Sequence, residues 1–304
     1  MKVLIVGLGS ISRKHKEALM AIRPDAEFYA LRRSRDGAEV EGVQSIYSIA
    51  EIPSDCDFAL VATPTSVHAE SLRQILPLGI PVFLEKPPLH NTEAAAELER
   101  LISEHQSMVY TAFNLRFHPL ITWAKQYLEG KRVLEVQSYC GSYLPDWRPN
   151  QDYRTNYSAL REQGGGVHLD LTHEIDFVRY LFGDPTSVQN NLRTISDLEI
   201  DSVDSARYWL EYPDKVINIV LNYFRRDPKR TLEVVMEDGT IEIDLIRGLV
   251  IANRTDIIHH VEVDIQETYN LQMAYWLNCL TSGSIPMNEF SESLKTLKIC
   301  LDEW

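Results

Sequence analysis

The stretch VGLGSIS (Val6–Ser12) constrains this chain more than any other, because it ends an apolar run at Lys2–Val6 and opens an amphipathic segment at about Ile11–Ile22. Gly7 permits a tight turn, and Gly9 lets backbone approach a pyrophosphate. The following helix start offers free N–H groups and a positive dipole end. Ser12 stands where a third glycine is usual. In a strand–turn–helix context this spacing predicts a dinucleotide site, with Gly7, Gly9, Ser10 and Ile11 as backbone contacts. The nucleotide is chosen at the end of the second expected strand, Glu27–Leu31, which reads YALRRSRD. Arg32, Arg33 and Ser34 stand where an NAD site keeps a carboxylate, and two guanidiniums with a hydroxyl suit a 2′-phosphate. The expectation is NADP(H) over NAD(H). In the alternative, the arginines are a solvated strand end and Asp36 takes the ribose.

The first third continues as short apolar runs separated by helical patterns: strands at Asp57–Ala62, Pro81–Leu84 and Met108–Phe113, helices at about Val67–Leu76 and Thr92–His105. Such βαβ units imply a parallel sheet covered on both faces. A helix at about Leu120–Leu128 and a strand at Val133–Tyr139 lead into a long polar and aromatic loop ending in GGG. A helix then starts near Asp170. Strand-like runs follow one another at Gln189–Arg193, Ser205–Glu211, Val216–Tyr223, Thr231–Met236, Thr240–Asp244 and Leu249–Asn253, with EDG (Glu237–Gly239) as a hairpin signal. Helices at about Gln266–Leu280 and Ser291–Leu301 close the chain. The fold class is therefore α/β, an N-terminal Rossmann domain (1–118) followed by an α+β domain (119–304) on an open, mostly antiparallel sheet. The last helix has the option of packing back on the first domain.

With 30 Lys plus Arg against 44 Asp plus Glu, the formal charge of −14 argues against nucleic-acid or anionic-membrane binding. No apolar run approaches the roughly 20 residues that span a bilayer. The N-terminus lacks a signal-peptide pattern, and four scattered cysteines (Cys56, Cys140, Cys279, Cys300) suit a reducing cytoplasm. No histidine spacing indicates a metal site.

VFLEKPPLHN (Val82–Asn91) then places Glu85 and Lys86 at a strand end and closes the exit with two prolines. Together with GxGxx[GAS], ATPTSVHAE (Ala62–Glu70), NLRFHP (Asn114–Pro119) and GGGVHLDLTHEIDFVRYLFG (Gly164–Gly183), it resembles the Gfo/Idh/MocA oxidoreductases over most of the chain. The loop at Tyr143–Ala159 looks like a subgroup associated with surface-sugar biosynthesis. The resemblance implies hydride transfer between a nicotinamide and a carbon of a sugar, cyclitol or sugar nucleotide. It also implies a substrate site and oligomer interface, homodimeric or homotetrameric, in the second domain.

Hydride transfer at a carbinol carbon needs a partner for the hydroxyl proton. The resemblance puts Lys86 near the substrate. Pro87 restricts its backbone, and a nearby positive charge or burial makes an ammonium easier to deprotonate. Asp170, His173 and Asp176, spaced i, i+3 and i+6, are expected along one helix side across the crevice. Asp170 and His173 are the catalytic candidates beside Lys86, and the division of the proton between Lys86 and His173 stays open. In many members of the family this chain resembles, the pattern is D-x-x-x-H, one residue longer than the D-x-x-H here. His168 ranks below them. Thr63, Pro64, His68, Glu85 and Lys86 are further cofactor candidates. Asn114, Arg116, Tyr153, Arg154 and Tyr157, with Asp170 and His173, are the substrate candidates, and Trp147 either stacks on a sugar or anchors its loop. Two other functions compete: a glycosidase that uses NAD for transient oxidation, and a non-catalytic sensor of NADP(H).

Overall fold

A computed structural model describes residues 1–35 and 38–304, so Asp36, the alternative ribose ligand, lies outside the described residues. The chain divides into two compact units, Met1–Asn114 with Ile265–Leu294 and Leu115–Asp264 with Lys295–Trp304.

In the first unit, strands β1 (Lys2–Val6), β2 (Glu27–Leu31), β3 (Gln44–Ile46), β4 (Phe58–Val61), β5 (Val82–Glu85) and β6 (Val109–Ala112) form a parallel sheet in the order β3-β2-β1-β4-β5-β6. Helices α1 (Ser10–Ile22), α2 (His68–Ile75) and α3 (Ala95–Glu104) connect strands. Every residue of β4, β5 and β6 is buried, as a sheet covered on both faces requires. The strand order reverses between β1 and β4, and ligands of open α/β sheets bind outside the strand ends at such a reversal.

The sequence-based division gives residues 119–304 to the second domain; the structure differs. The long helix Ile265–Ser282, α7 in chain order, completes the first unit's core. Fully buried Trp276 stacks on Tyr110 at 5.7 Å and meets the edges of Phe58 and Phe83, each at 5.9 Å. A buried tryptophan costs about 3–5 kcal/mol when truncated to alanine, so this contact is a large part of what holds α7 to the unit, alongside Met273 in the same core and the Asn114–Thr268 bond.

The second unit carries helices α4 (Pro119–Tyr127), α5 (Val167–Asp170) and α6 (His173–Phe182), with α8 (Phe290–Leu301) divided between units after Leu294. Its strands are β7 (Val133–Tyr143), β8 (Ser187–Arg193), β9 (Ser205–Glu211), β10 (Val216–Asn222), β11 (Phe224–Met236), β12 (Gly239–Asp244), β13 (Leu249–Ala252) and β14 (Asp256–His260). They form one sheet, β14-β13-β12-β11-β7-β10-β9-β8, antiparallel except where β10 runs parallel to β7. Along β9, Ala206, Tyr208 and Leu210 are buried while Arg207, Trp209 and Glu211 are exposed, so one sheet face is covered and the other open.

The expected single helix from Asp170 through Asp176 is corrected. The chain leaves α5 at Leu171, whose ψ of 28° departs from helical geometry, and restarts as α6 at His173. Asp170 therefore ends one helix and His173 opens the next, and the i, i+3, i+6 stripe does not run along one continuous helix.

Candidate active site

The glycine turn is built for close approach. Gly7 has φ of +101°, and a Cβ there would lie 2.6 Å from the Ala62 carbonyl and the Thr63 nitrogen at the end of β4. No larger residue fits without moving backbone. At Gly9 a Cβ would meet nothing within 4 Å, which leaves open space over the start of α1. Ser12 substitutes for the third glycine by turning its hydroxyl inward to donate to the Gly9 carbonyl at 2.9 Å. Beside the turn lies a cavity of about 720 Å³ whose wall includes Gly7, Arg32, Arg33, Ser34, Thr63 and Pro64. No aspartate or glutamate is among the described residues of that wall. Arg32 donates to the Ala38 carbonyl at 3.0 Å and to the Ser45 hydroxyl at 3.2 Å, and Arg33 pairs with Glu70 at 3.2 Å in the open. Exposed pairs of that kind exchange readily for a stronger anion. The open space at Gly9 and the roomy wall, free of carboxylates among its described residues, fit a dinucleotide.

His68, expected at the cofactor, does not line this cavity. It is 1% exposed, with one ring nitrogen 2.9 Å from the Thr63 carbonyl and the other 3.0 Å from the Pro87 carbonyl. Burial pushes its pKa down, against the neighbouring carbonyls and Glu85, which favour the charged form. Ser10 and Ile11 open α1 and lie outside the cavity wall.

Lys86 follows directly on β5 and is half-buried, with a cis bond to Pro87. Its backbone N–H donates to the Glu85 carboxylate at 3.0 Å. Glu85 does not point into the cavity wall; it is 7% exposed and its other oxygen accepts from His15 Nε2 on α1. Burial opposes ionisation of Glu85, but His15, Lys86 and the Lys86 N–H together hold its pKa below the usual value. Sequence reasoning missed His15, because its partner lies 70 residues away and no local pattern joins them.

In the second unit, Tyr223 at the end of β10 donates to Asp170 at 2.6 Å. Burial first, and then Asp170, push the Tyr223 pKa well above the ordinary tyrosine value. Tyr157 is raised too, chiefly by Asp170 and then by burial, so both phenols stay protonated beside the carboxylate. The GGG run serves packing here: a Cβ on Gly165 would fall 2.1 Å from the Tyr157 carbonyl. His168 is buried, with its pKa pushed down to about 4 by burial and then by Arg161. Trp147 anchors its loop, donating to the Ser142 hydroxyl at 2.8 Å and meeting Tyr223 edge-on at 5.3 Å.

Other expected residues have structural partners. Arg116, 6% exposed, makes a bidentate pair with Asp176 at 2.7 and 2.8 Å. That pair joins Arg116, expected at a substrate, to Asp176, expected to flank His173, within the second unit. Asn114 donates to the Thr268 hydroxyl at 2.7 Å within the first unit. Arg154 is exposed and paired with Asp152 and Glu199. Tyr153 lines a separate cavity of about 320 Å³ with Tyr143, Phe224 and Arg226. Among the described residues no cluster of His, Cys, Asp and Glu forms a metal site, and no helix is long and apolar enough to cross a membrane.

A parallel sheet of this order, with a glycine turn against an open cavity, defines a Rossmann-type dinucleotide-binding protein. Comparison with known proteins makes this specific. Residues 1–113 match the NAD-binding Rossmann fold of the GFO/IDH/MocA oxidoreductase family, and residues 121–242 match that family's C-terminal domain. The chain belongs to this family of oxidoreductases. It is 23% identical to scyllo-inositol 2-dehydrogenase (NAD(+)) of Bacillus subtilis, over 94% of this chain and 88% of that one. It is 24% identical to UDP-N-acetylglucosamine 3-dehydrogenase of Acidithiobacillus ferrooxidans, over 82% and 75%. In fold it is similar to levoglucosan dehydrogenase in complex with NADH, at 19% identity and a TM-score of 0.85 over 100% and 95% of the two chains.

Proposed function

We propose that this chain is a dehydrogenase or reductase that prefers NADP(H) and acts on a carbinol or keto carbon of a sugar or sugar nucleotide. The observation that supports this reading is Lys86, whose backbone N–H is held by Glu85 at the exit of a fully buried strand that pairs with β4, the strand whose exit residues Thr63 and Pro64 line the glycine-turn cavity. Bound at that cavity, the dinucleotide supplies the hydride donor or acceptor. Gly7, Gly9 and the start of α1 seat its phosphates, with Thr63 and Pro64 lining the same cavity next to Gly7. Arg32, Arg33 and Ser34 take the 2′-phosphate.

Lys86 and His173 exchange the proton of the reacting hydroxyl. Asp170, fixed by the Tyr223 hydroxyl, orients substrate or imidazole and balances the charge that develops. Sugars and cyclitols carry many such hydroxyls, in keeping with the names of the relatives. Tyr153, Tyr157 and Arg154 belong to the loop that shapes substrate choice. The open sheet face, with Trp209 39% and Ile257 62% exposed, supports assembly as a homodimer or homotetramer. Four buried free cysteines suit a cytoplasmic location.

Lys86→Ala tests the assignment. Turnover should be lost while dinucleotide affinity is retained. Full activity in that variant refutes the role of Lys86.

A further inference from the structure

The groups on either side of Lys86 are each gripped by a histidine from a helix that starts at the dinucleotide turns. His15 comes from α1, which follows the glycine turn after β1. It is 1% exposed, and its Nε2–H donates to Glu85, whose second oxygen receives the Lys86 N–H at 3.0 Å. His68 opens α2, which follows β4, and its ring spans the Thr63 carbonyl at 2.9 Å and the Pro87 carbonyl at 3.0 Å. Pro88 adds a third carbonyl at 3.3 Å.

Neither histidine is needed to fill space. An imidazole is a poor filler between apolar strands, because each buried nitrogen left without a partner costs more than a carbon in its place. His15 accepts that cost: its Nδ1 is buried and has no hydrogen-bond partner among the described residues, while its ring edges onto Phe83 at 4.8 Å and Tyr269 at 5.3 Å. An aliphatic side chain would satisfy those apolar neighbours. What only the imidazole supplies is the hydrogen bond to Glu85. The orientation of Glu85 is thereby set from α1, and that of the Lys86 N–H is set from Glu85. On the other side, Thr63 belongs to the cavity wall, so His68 ties that wall to the proline exit of Lys86.

We infer that His15 and His68 are positioning residues, a pair of clamps that connect the two dinucleotide-binding turns to the Lys86 backbone from both sides. This rests on the assignment of Lys86 as a proton-transfer group. In this arrangement, whatever seats on the α1 turn and against Thr63 also fixes the aim of Lys86, with no contact between either histidine and the reacting atoms.

The experiment measures kcat, the KM for sugar and the Kd for NADPH in His15→Leu, His15→Gln and His68→Leu, each alone and combined with Lys86→Arg. His15→Leu keeps the apolar packing and removes the bond to Glu85; His15→Gln restores a donor. Misaiming a reacting group by about an ångström costs on the order of 100-fold in rate. The expected result is a fall in kcat of about 10- to 100-fold in the leucine variants, with Kd for NADPH within about twofold and partial recovery in His15→Gln. In the Lys86→Arg background the same substitutions should cost much less, because the group they aim is already displaced. Equal losses in both backgrounds overturn the inference, as does a loss of NADPH affinity that accounts for the whole fall in activity. If His15→Leu does not fold, His68→Leu carries the same comparison, with His15→Gln as the donor-retaining reference. Full activity of Lys86→Ala would sink the assignment of Lys86 itself, a result separate from the cycle.

Discussion

Tyr223 donates its hydroxyl to Asp170 at 2.6 Å, linking the end of β10 to the end of α5 across 53 residues of chain. The bond holds a buried carboxylate at the point where the helix breaks and restarts as α6 with His173. Tyr223→Phe removes one oxygen and little volume. A hydrogen bond to a charged group is worth about 1.5–3 kcal/mol, so kcat should fall by roughly 10- to 100-fold. Dinucleotide affinity, read by fluorescence titration, should be unchanged, since Tyr223 lies outside the dinucleotide cavity wall. Unaltered kcat would remove Asp170 from the reaction.

Arg116 and Asp176 predict a stability effect. Both are at most 6% exposed. Removing one partner leaves the other charge buried, at a cost of about 3–5 kcal/mol. Arg116→Leu should lower the melting temperature sharply, and Arg116→Lys should rescue it poorly, because an ammonium cannot make the bidentate fork. A stable Arg116→Leu enzyme with raised KM would return Arg116 to the substrate site.

The cofactor preference is tested by charge reversal. Arg32→Asp should weaken NADPH binding strongly and leave NADH little changed, because only the 2′-phosphate is repelled. Equal losses for both nucleotides contradict the preference. Gly7→Ala serves as the reference for a broken site: its Cβ would stand 2.6 Å from β4 backbone, so binding of either nucleotide should disappear.

His118 gives a pH prediction. Burial, then the Arg230 charge, push its pKa from 6.5 down to about 4, while its Nδ1 accepts the Leu120 N–H and caps α4. The unfolded chain binds this proton at higher pH than the folded one. Stability from the neutral imidazole is therefore present above pH 6.5 and lost as pH falls from 6.5 towards 4. The loss reaches roughly 3 kcal/mol in that window. Asparagine is a good helix cap and does not titrate. His118→Asn should flatten the fall in melting temperature between those pH values; an unchanged slope would assign the acid sensitivity to other groups.

Much of the first unit is legible in sequence because each strand is a continuous apolar run and each helix a 3.6-residue pattern. β3, Gln44–Ile46, escapes for the opposite reason, being three residues long with one buried side chain. β14, Asp256–His260, is an edge strand with exposed isoleucines, so it has no inward-outward alternation to read. β11 extends back through Pro228 to Phe224, where proline signals a break. The register against β7 shifts between Phe224 and Lys229, and a bulge tolerates the missing N–H. Lys86, Asp170 and His173 are visible in the sequence as chemistry-bearing residues in motifs. Their supports are not: His15 for Glu85, Tyr223 for Asp170 and Asp176 for Arg116 are contacts between distant segments, made by folding rather than by spacing.

The most direct test follows nicotinamide absorbance while a panel of free and nucleotide-linked sugars is turned over with NADP+ and with NADPH. The account predicts a net absorbance change matching product mole for mole with at least one sugar, and none with Lys86→Ala. Product formed with no net change in nicotinamide would contradict it and indicate transient oxidation during glycosidic cleavage. NADPH binding without turnover of any sugar would contradict it in favour of a sensor.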